Sequence, residues 1–247
     1  MSRLRDSSLG QAWLILVLAT AFGAALTAVH TGLGPRIEAN VRAETLRQLP
    51  AMVLPAAELA GSSIEVAGDR IAIRWAGREP LALAVAENAV AGHLVYSLSR
   101  ADDGAQIGHV VRAKGPGYAD DIELLLGLSG DLSRLTGMFV LSQKETPALG
   151  DGITKPAFQR WFAGAPADAP LTVTKSQADA ESHPGRVLAL TAATISSRSV
   201  CDIVNKTLAL VRPALAAHLA VAADATAAIP LASPPIPPTA QGARDGR

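Results

Sequence analysis

The chain has 247 residues, which is enough for one main domain with appendages or for two modest domains. Its formal net charge is zero and its basic residues are scattered, so the composition argues against a nucleic-acid-binding surface. The single cysteine, Cys201, excludes an intramolecular disulfide. No cysteine and histidine spacing is typical of a zinc or iron–sulfur site, and we therefore expect no metal.

An apolar segment near the N-terminus is long enough to cross a membrane. Residues 12–29 are 18 consecutive uncharged, mostly apolar residues. We predict a cytoplasmic tail at residues 1–11 and a transmembrane anchor at residues 12–33. A cleaved signal peptide is the alternative, because the small residues 23–25 are typical of a cleavage site. Basic residues on both sides leave the orientation open, and we adopt the usual signal-anchor arrangement with the large C-terminal domain translocated.

An amphipathic helix is predicted at residues 35–50, directly after the apolar segment. Pro35 suits the first helical position, and Ile37, Val41, Thr45 and Leu49 recur at four-residue spacing. Pro50 is expected to end this helix. We interpret it as a stalk that lifts a domain off the membrane.

Residues 51–220 are predicted to form one α+β domain, in which a mostly antiparallel sheet is followed by segregated helices. Apolar alternation predicts strands at residues 64–66, 71–75, 81–85, 93–98, 107–113, 122–128 and 135–141. Turn-forming residues separate the first four at positions 68–69, 77, 80, 88 and 92.

Two helices complete the predicted domain. The first spans residues 151–162, and the second runs from residue 196 to about residue 218, where Pro213 kinks or ends it. Cys201 in the second helix is expected to be a small buried hydrophobe. The Ala- and Pro-rich tail at residues 221–247 is predicted to be disordered. The expected buried side chains are Ile153, Ala157, Trp161 and Phe162 in the first helix and Val200, Val204, Leu208 and Val211 in the second.

Three loops carry the candidate chemistry: residues 115–121, residues 143–150 and residues 188–200. Taken singly, the first is an ordinary glycine-containing loop and the second a turn. The third loop has four hydroxyl side chains directly ahead of an apolar-periodic segment: Thr191, Thr194, Ser196 and Ser197. That pattern fits a capped helix N-terminus, and it also fits a phosphate site with a hydroxyl beside the phosphate.

Together, in this order, the three loops resemble the FMN-binding domain of the G subunit of the Rnf ion-translocating electron transport complex. The C subunit of the sodium-translocating NADH:quinone reductase shares that domain. The N-terminal apolar segment and the helix after it also fit, so the resemblance covers roughly residues 10–218 and leaves the Pro-rich tail unmatched.

The resemblance implies a covalently attached FMN. The family's Glu-Thr-Pro-Gly-Leu-Gly loop corresponds to residues 145–150, with Ala148 in place of a glycine. The flavinylation motif (Asp, two variable residues, Ser or Thr, then Gly-Ala-Thr) corresponds to residues 188–194, with Leu188 in place of the Asp and Ala192 in place of the Gly. The phosphoester would then fall on Thr194 Oγ, made by a dedicated flavin transferase with FAD as donor.

The resemblance further implies an electron-carrying subunit that works with other membrane subunits of an Rnf-type complex. It would be a single-pass protein of the bacterial inner membrane, with its C-terminal domain on the periplasmic side and with no catalytic residue of its own. Two alternatives stay open: a flavin-free binding or assembly module of the same fold, and an FMN-binding domain of a different respiratory or sensory system. The expected cofactor-binding residues are Thr194, Thr191, Ala193, Ser196, Ser197, Glu145, Thr146, Leu149, Gly150 and Tyr118.

Overall fold

A computed structural model describes residues 8–227, with all side chains except those of residues 8–10, 38 and 222–227. A seven-stranded antiparallel sheet lies between a long N-terminal helix on one face and a group of C-terminal helices on the other. The prediction of an α+β fold with a long apolar N-terminal helix is confirmed. Residues 1–7 and 228–247, which hold most of the two predicted tails, lie outside the described residues.

The N-terminal helix, α1 (Ser8–Val53), is one element of 46 residues. Its first part is exposed on all sides, and by length and composition it could cross a membrane. The prediction that a separate helix begins at Pro35 is wrong, because Pro35 lies inside α1. A proline removes only one backbone hydrogen bond, which such helices tolerate. Pro50 does not end the helix either, since the packing of Leu49 and Val53 on the sheet holds one further turn.

A short helix, α2 (Ala56–Leu59), leads into the sheet, whose strands pair in sequence order as a meander. The strands are β1 (Ser62–Ala67), β2 (Arg70–Trp75), β3 (Arg78–Val90), β4 (His93–Arg100), β5 (Gln106–Pro116), β6 (Asp121–Ser129) and β7 (Leu135–Ser142). All seven predicted strands are present, and each is longer than predicted.

Two predicted turns lie inside β3 and are therefore wrong. Pro80 lies opposite the register shift between Ile73 and Trp75, where a missing N–H costs no regular ladder hydrogen bond. Asn88 pairs with Val95 of β4, and the chain reverses after Val90 instead.

Both faces of the sheet are covered, and the side chains of β6 contribute to the cores on both sides. Leu124, Leu126 and Leu128 belong to the core shared with the C-terminal helices, whereas Leu125 belongs to the core shared with α1. A strand covered on both faces is apolar at every position, which explains the continuous apolar segment. On the α1 side, the Thr136 hydroxyl also donates to the Met52 carbonyl and joins β7 to the end of the helix.

The C-terminal half begins with three short helical segments where one longer helix was predicted. A 3-10 helix (Gly150–Thr154) is followed by α3 (Pro156–Gln159) and a second 3-10 turn (Arg160–Phe162). The break falls at Lys155, which is extended because it precedes Pro156. Ile153 and Phe162 are buried as predicted, but Ala157 is exposed and Phe158 is buried in its place.

A small parallel unit follows that the sequence did not predict. Strands β8 (Thr172–Thr174) and β9 (Arg186–Leu188) pair in parallel, and α4 (Gln177–Ser182) connects them. Strands of three residues are too short to give a periodic pattern. Strand β9 ends at Leu188, and the loop that precedes the last helix follows directly.

The last helix, α5 (Thr194–Ala227), buries the predicted side chains Val200, Val204, Leu208 and Val211. Pro213 lies inside it, and the helix continues through residues 221–227, which were predicted to belong to the tail. The alanines of this segment favour the helix. Cys201 is buried as predicted, and burial raises the pKa of its thiol to about 12.

His109 gives the fold a specific dependence on pH. Its side chain is fully buried, with Nδ1 2.9 Å from Ser97 Oγ, and burial lowers its pKa below the ordinary value of 6.5. The unfolded chain therefore binds this proton more readily than the folded chain. The stability that neutral His109 contributes is present above pH 6.5 and is lost as the pH falls below it.

We expect His109→Asn, which keeps a partner for Ser97, to lose less free energy of unfolding than the wild type between about pH 7.5 and pH 5.5. Denaturant unfolding of the detergent-solubilised chain at both pH values measures this. His218→Asn, at an exposed histidine of α5, is the control and should follow the wild type. Equal pH dependence of wild type and His109→Asn would contradict the assignment.

Two alanines have backbone conformations in the left-handed region. Ala148, in the loop after β7, has φ 61°, and Ala192, just before α5, has φ 64°. This region costs an L-residue about 1–2 kcal/mol, whereas glycine adopts it freely. We expect Ala148→Gly and Ala192→Gly each to raise the free energy of unfolding by about 1 kcal/mol. The same change on the exposed face of α5, Ala216→Gly, should lower it by about 1 kcal/mol. Chemical denaturation compares the three, and destabilisation by both loop substitutions would refute the backbone argument.

Candidate functional site

A cleft of about 450 Å³ opens where three segments meet at one end of the sheet. They are the turn between β5 and β6, the loop after β7, and the first turn of α5. This volume is within the range of roughly 300–1,000 Å³ that small-molecule and cofactor sites occupy. The lining residues are Tyr118, Glu145, Thr146, Leu149, Gly150, Ala192, Ala193, Thr194, Ile195 and Ser196.

Glu145 joins the three segments through its carboxylate, which is only 4% exposed. Oε1 accepts hydrogen bonds from the backbone N–H groups of Tyr118 (2.8 Å) and Ala119 (3.1 Å). Oε2 accepts a hydrogen bond from the Ser196 hydroxyl at 2.6 Å. Each donor comes from a different segment than Glu145 itself, so this one side chain fixes the walls of the cleft relative to one another.

Two glycines allow the segments to approach this carboxylate. A Cβ atom at Gly150 would lie 2.7 Å from Glu145 Oε2 and 2.8 Å from Ser196 Oγ. A Cβ atom at Gly117 would overlap Glu145 Oε1 and lie 2.6 Å from the Asp120 carbonyl oxygen. Real Cβ atoms do not make contacts this short, so both positions require glycine for close packing.

The N-terminus of α5 forms one wall of the cleft. Thr194 is the first residue of the helix, and the first helical hydrogen bond runs from Ser197 N to Ala193 O at 3.1 Å. The N–H groups of Thr194, Ile195 and Ser196 therefore have no acceptor within the helix. Free N–H groups and the helix dipole together favour an anion, at about 0.3–1 kcal/mol for each favourable interaction.

Ser197 holds the loop that leads into α5. Its Oγ accepts from Leu190 N and donates to Ala193 O, both at 3.0 Å. The N–H of Ala193 also donates to Leu190 O at 3.1 Å. These bonds close residues 190–193 into a tight turn in which Ala192 adopts its left-handed conformation. The turn fixes the point at which Thr194 begins the helix.

The mouth of the cleft is apolar. Tyr118, Leu149 and Ile195 all line it and are 63%, 44% and 55% exposed. Exposed apolar side chains around a cleft whose back wall is polar suit a ligand with a flat apolar part and a polar or anionic part.

Beside the cleft, two ion pairs balance the charges of the β5–β6 turn. Lys144 Nζ lies 2.6 Å from Asp120 Oδ2, and Lys114 Nζ lies 3.0 Å from Asp121 Oδ2. The hydrogen bond from Lys144 lowers the pKa of Asp120, and the reciprocal bond raises the pKa of Lys144. Each pair is largely exposed and carries no net charge.

Most of the predicted site residues meet at this cleft. Tyr118, Glu145, Thr146, Leu149, Gly150, Ala193, Thr194 and Ser196 all line it. Thr191 is exposed and Ser197 is buried, and neither lines it. The sequence missed Ala192 and Ile195, although both lie inside the threonine- and serine-rich stretch. Arg198, the basic residue nearest to Thr194 in the sequence, is exposed and does not line the cleft. Within residues 8–227, no cluster of His, Cys, Asp or Glu is suited to a metal ion.

Residues 117–209 match the FMN-binding domain family. The G subunit of an ion-translocating oxidoreductase complex from Methanosarcina acetivorans is 40% identical over 103 residues, which are 41% of this chain and 50% of that protein. The G subunit of a proton-translocating ferredoxin:NAD(+) oxidoreductase complex from Clostridium ljungdahlii is 37% identical over 94 residues, 38% of this chain and 48% of that protein. The chain thus spans about half the length of the curated relatives that it matches.

Two solved structures are also similar. NqrC of Shewanella oneidensis is 23% identical with a TM-score of 0.40, covering 47% of this chain and 55% of that one. The C subunit of the Na(+)-translocating NADH-quinone reductase from Parabacteroides distasonis is 22% identical with a TM-score of 0.36, covering 52% and 59%. The sequence matches thus show that residues 117–209 are similar to the FMN-binding domain family, and that part of the chain is similar to the G subunits of ion-translocating oxidoreductase complexes.

Proposed function

We propose that this protein is a membrane-anchored electron-carrying subunit of an ion-translocating oxidoreductase complex, with FMN bound covalently to Thr194. The observation that carries the proposal is the position of Thr194. It begins α5, lines the cleft, and follows a turn that belongs to the matched FMN-binding domain.

The N-terminus of α5 suits the phosphate of FMN. An ester at Thr194 Oγ would keep the phosphate beside the N–H groups of the first helical turn, where the helix dipole also favours negative charge. Forming this ester from FAD joins Thr194 Oγ to the flavin-bearing phosphorus, breaks the bond between the two phosphates and releases AMP. We assign this step to a separate flavin transferase.

The rest of the cleft suits the flavin ring. Tyr118 and Leu149 provide apolar surface at the mouth, and Thr146 also lines the cleft. Bound here, FMN would supply the redox chemistry, while the protein would supply its position and its electrostatic surroundings.

Two residues depart from the flavinylation motif, Ala192 and Leu188, and neither changes the shape of the cleft. Ala192 adopts φ 64°, so the turn keeps the backbone shape that a glycine would favour. Leu188 is half-buried at the end of β9, in register with Thr174. It lies six positions before Thr194 and does not line the cleft. The loss of a carboxylate at Leu188 therefore leaves the cleft itself intact.

We infer the membrane location of the protein from α1 and its partner subunits from its sequence relatives. The apolar part of α1 would anchor the chain in the bacterial inner membrane as a single pass, with residues 1–11 in the cytoplasm and the FMN-binding domain on the periplasmic side. Its partners would be the other membrane subunits of an Rnf-type complex, since the sequence relatives are subunits of such complexes.

We expect wild-type protein from a host with a flavin transferase to fluoresce on a denaturing gel and to carry the mass of one FMN less one water. Thr194→Ala should abolish both signals, because it removes the oxygen that forms the ester. Thr172→Ala in β8 is the matched control, since this exposed threonine lies outside both the cleft and the flavinylation motif, and it should retain the flavin.

A wild-type band without fluorescence or added mass would refute covalent FMN. It would favour a flavin-free binding or assembly module, for which Leu188 is the supporting observation. Flavin retained in Thr194→Ala but lost in Thr191→Ala would instead move the attachment to Thr191.

Gly150→Ala tests the geometry of the cleft. Its methyl group would lie 2.7 Å from Glu145 Oε2 and 2.8 Å from Ser196 Oγ, and so would force these two groups apart. We expect a loss of about 1–3 kcal/mol of stability and reduced flavin content, measured by unfolding and by the ratio of flavin to protein absorbance. Gly137→Ala in β7 is the control, because its nearest neighbour would be Met52 Cε at 3.7 Å. Full flavin content in Gly150→Ala would show that the tight approach is not needed for binding.

A further inference from the structure

Glu145 is the only buried carboxylate among the side chains that the structure describes. It lines the cleft, yet none of the ion pairs in this part of the chain includes it. Its hydrogen-bond donors are two backbone N–H groups and the Ser196 hydroxyl, which are all neutral. They satisfy both oxygens as acceptors, but they leave the negative charge in place.

The two lysines beside the β5–β6 turn, Lys144 and Lys114, are already paired. Lys144, the neighbouring residue, lies 2.6 Å from Asp120 and is 77% exposed, and Lys114 lies 3.0 Å from Asp121. These two pairs cancel their own charges. Glu145 therefore places a negative charge in the wall of the cleft, on a side chain only 4% exposed, and neither lysine compensates it.

We propose that Glu145, besides holding the cleft together, lowers the reduction potential of the flavin bound there. This inference rests on the proposed function. Reducing the flavin brings in electrons from a donor, and it adds negative charge wherever a proton from solvent does not follow each electron. A fixed negative charge close by, in a medium of low dielectric, opposes that addition. The flavin in this protein would thus be a stronger electron donor than the same flavin beside a neutral side chain.

The same physics separates Glu145 from the exposed carboxylates of the β5–β6 turn. Salt screens charges that face solvent, but it acts much less on a buried group. Asp120 is also paired with Lys144, which offsets its field. The effect of Glu145 should therefore persist at high ionic strength, and any effect of Asp120 should be small and should vanish.

The test is a redox titration of purified, flavin-bearing full-length protein with dithionite against reference dyes, followed by flavin absorbance. Glu145→Gln removes the charge and keeps an oxygen for the N–H groups of Tyr118 and Ala119, while its amide can donate to Ser196 Oγ. We expect its midpoint potential to be more positive than that of the wild type, at both low and high salt. Asp120→Asn is the matched control and should stay close to the wild type.

Equal midpoints for wild type and Glu145→Gln would overturn this inference alone, whereas a wild type without flavin would overturn the proposed function and this inference with it. If Glu145→Gln does not retain flavin, Ser196→Ala serves in its place, because it keeps the charge and removes one of its donors. Its midpoint should be more negative than that of the wild type, and an unchanged or more positive value would refute the proposal.

Discussion

The cleft depends on the hydrogen bonds of one buried carboxylate. Glu145 reaches donors 26 and 27 positions earlier, at Ala119 and Tyr118, and a donor 51 positions later, at Ser196. No disulfide can support these loops, since Cys201 is the only cysteine. Removing one partner of such a buried group leaves the others unsatisfied, at a cost of about 1–3 kcal/mol. The glycines at positions 117 and 150 follow from this contact, because no side chain fits beside the carboxylate.

Local patterns in the sequence predicted the long elements well. The seven strands and the buried face of α5 repeat apolar residues over enough positions to be recognised. The predictions failed where tertiary structure overrides a local signal. Pro80 was predicted to form a turn, but it lies inside β3 where the pairing with β2 is irregular. Lys155 interrupts the predicted helix, although the apolar spacing there is regular. The order of three motifs identified most of the residues that gather at the cleft. It did not reveal that Ser197 fastens the preceding turn, since a hydrogen-bond partner seven positions away becomes known only from the fold.

Ala148 and Ala192, both in the left-handed backbone region, show how the surrounding hydrogen bonds can impose a backbone shape. Ala192 lies inside the turn that Ser197 closes from both sides, through Leu190 N and Ala193 O. Ala148 lies in a loop closed by bonds from Leu149 N and Asp151 N to Thr146 O. Such surroundings can hold a residue in an unfavourable region when they over-determine its conformation. The departures from the motif therefore affect the stability of the loops more than their shape.

The continuity of α1 has a geometric consequence for the cleft. One helix runs from the apolar segment to Val53, and it is fastened to the sheet at its end by Leu49, Met52 and the Thr136 hydroxyl. Each residue of an α-helix adds about 1.5 Å of height and about 100° of rotation. The number of residues between the apolar segment and Val53 therefore sets both the distance of the cleft from the apolar segment and the direction in which the cleft opens around the helix axis. An insertion or deletion of a single residue there would rotate the cleft by about 100° about the helix axis without altering any residue that lines it.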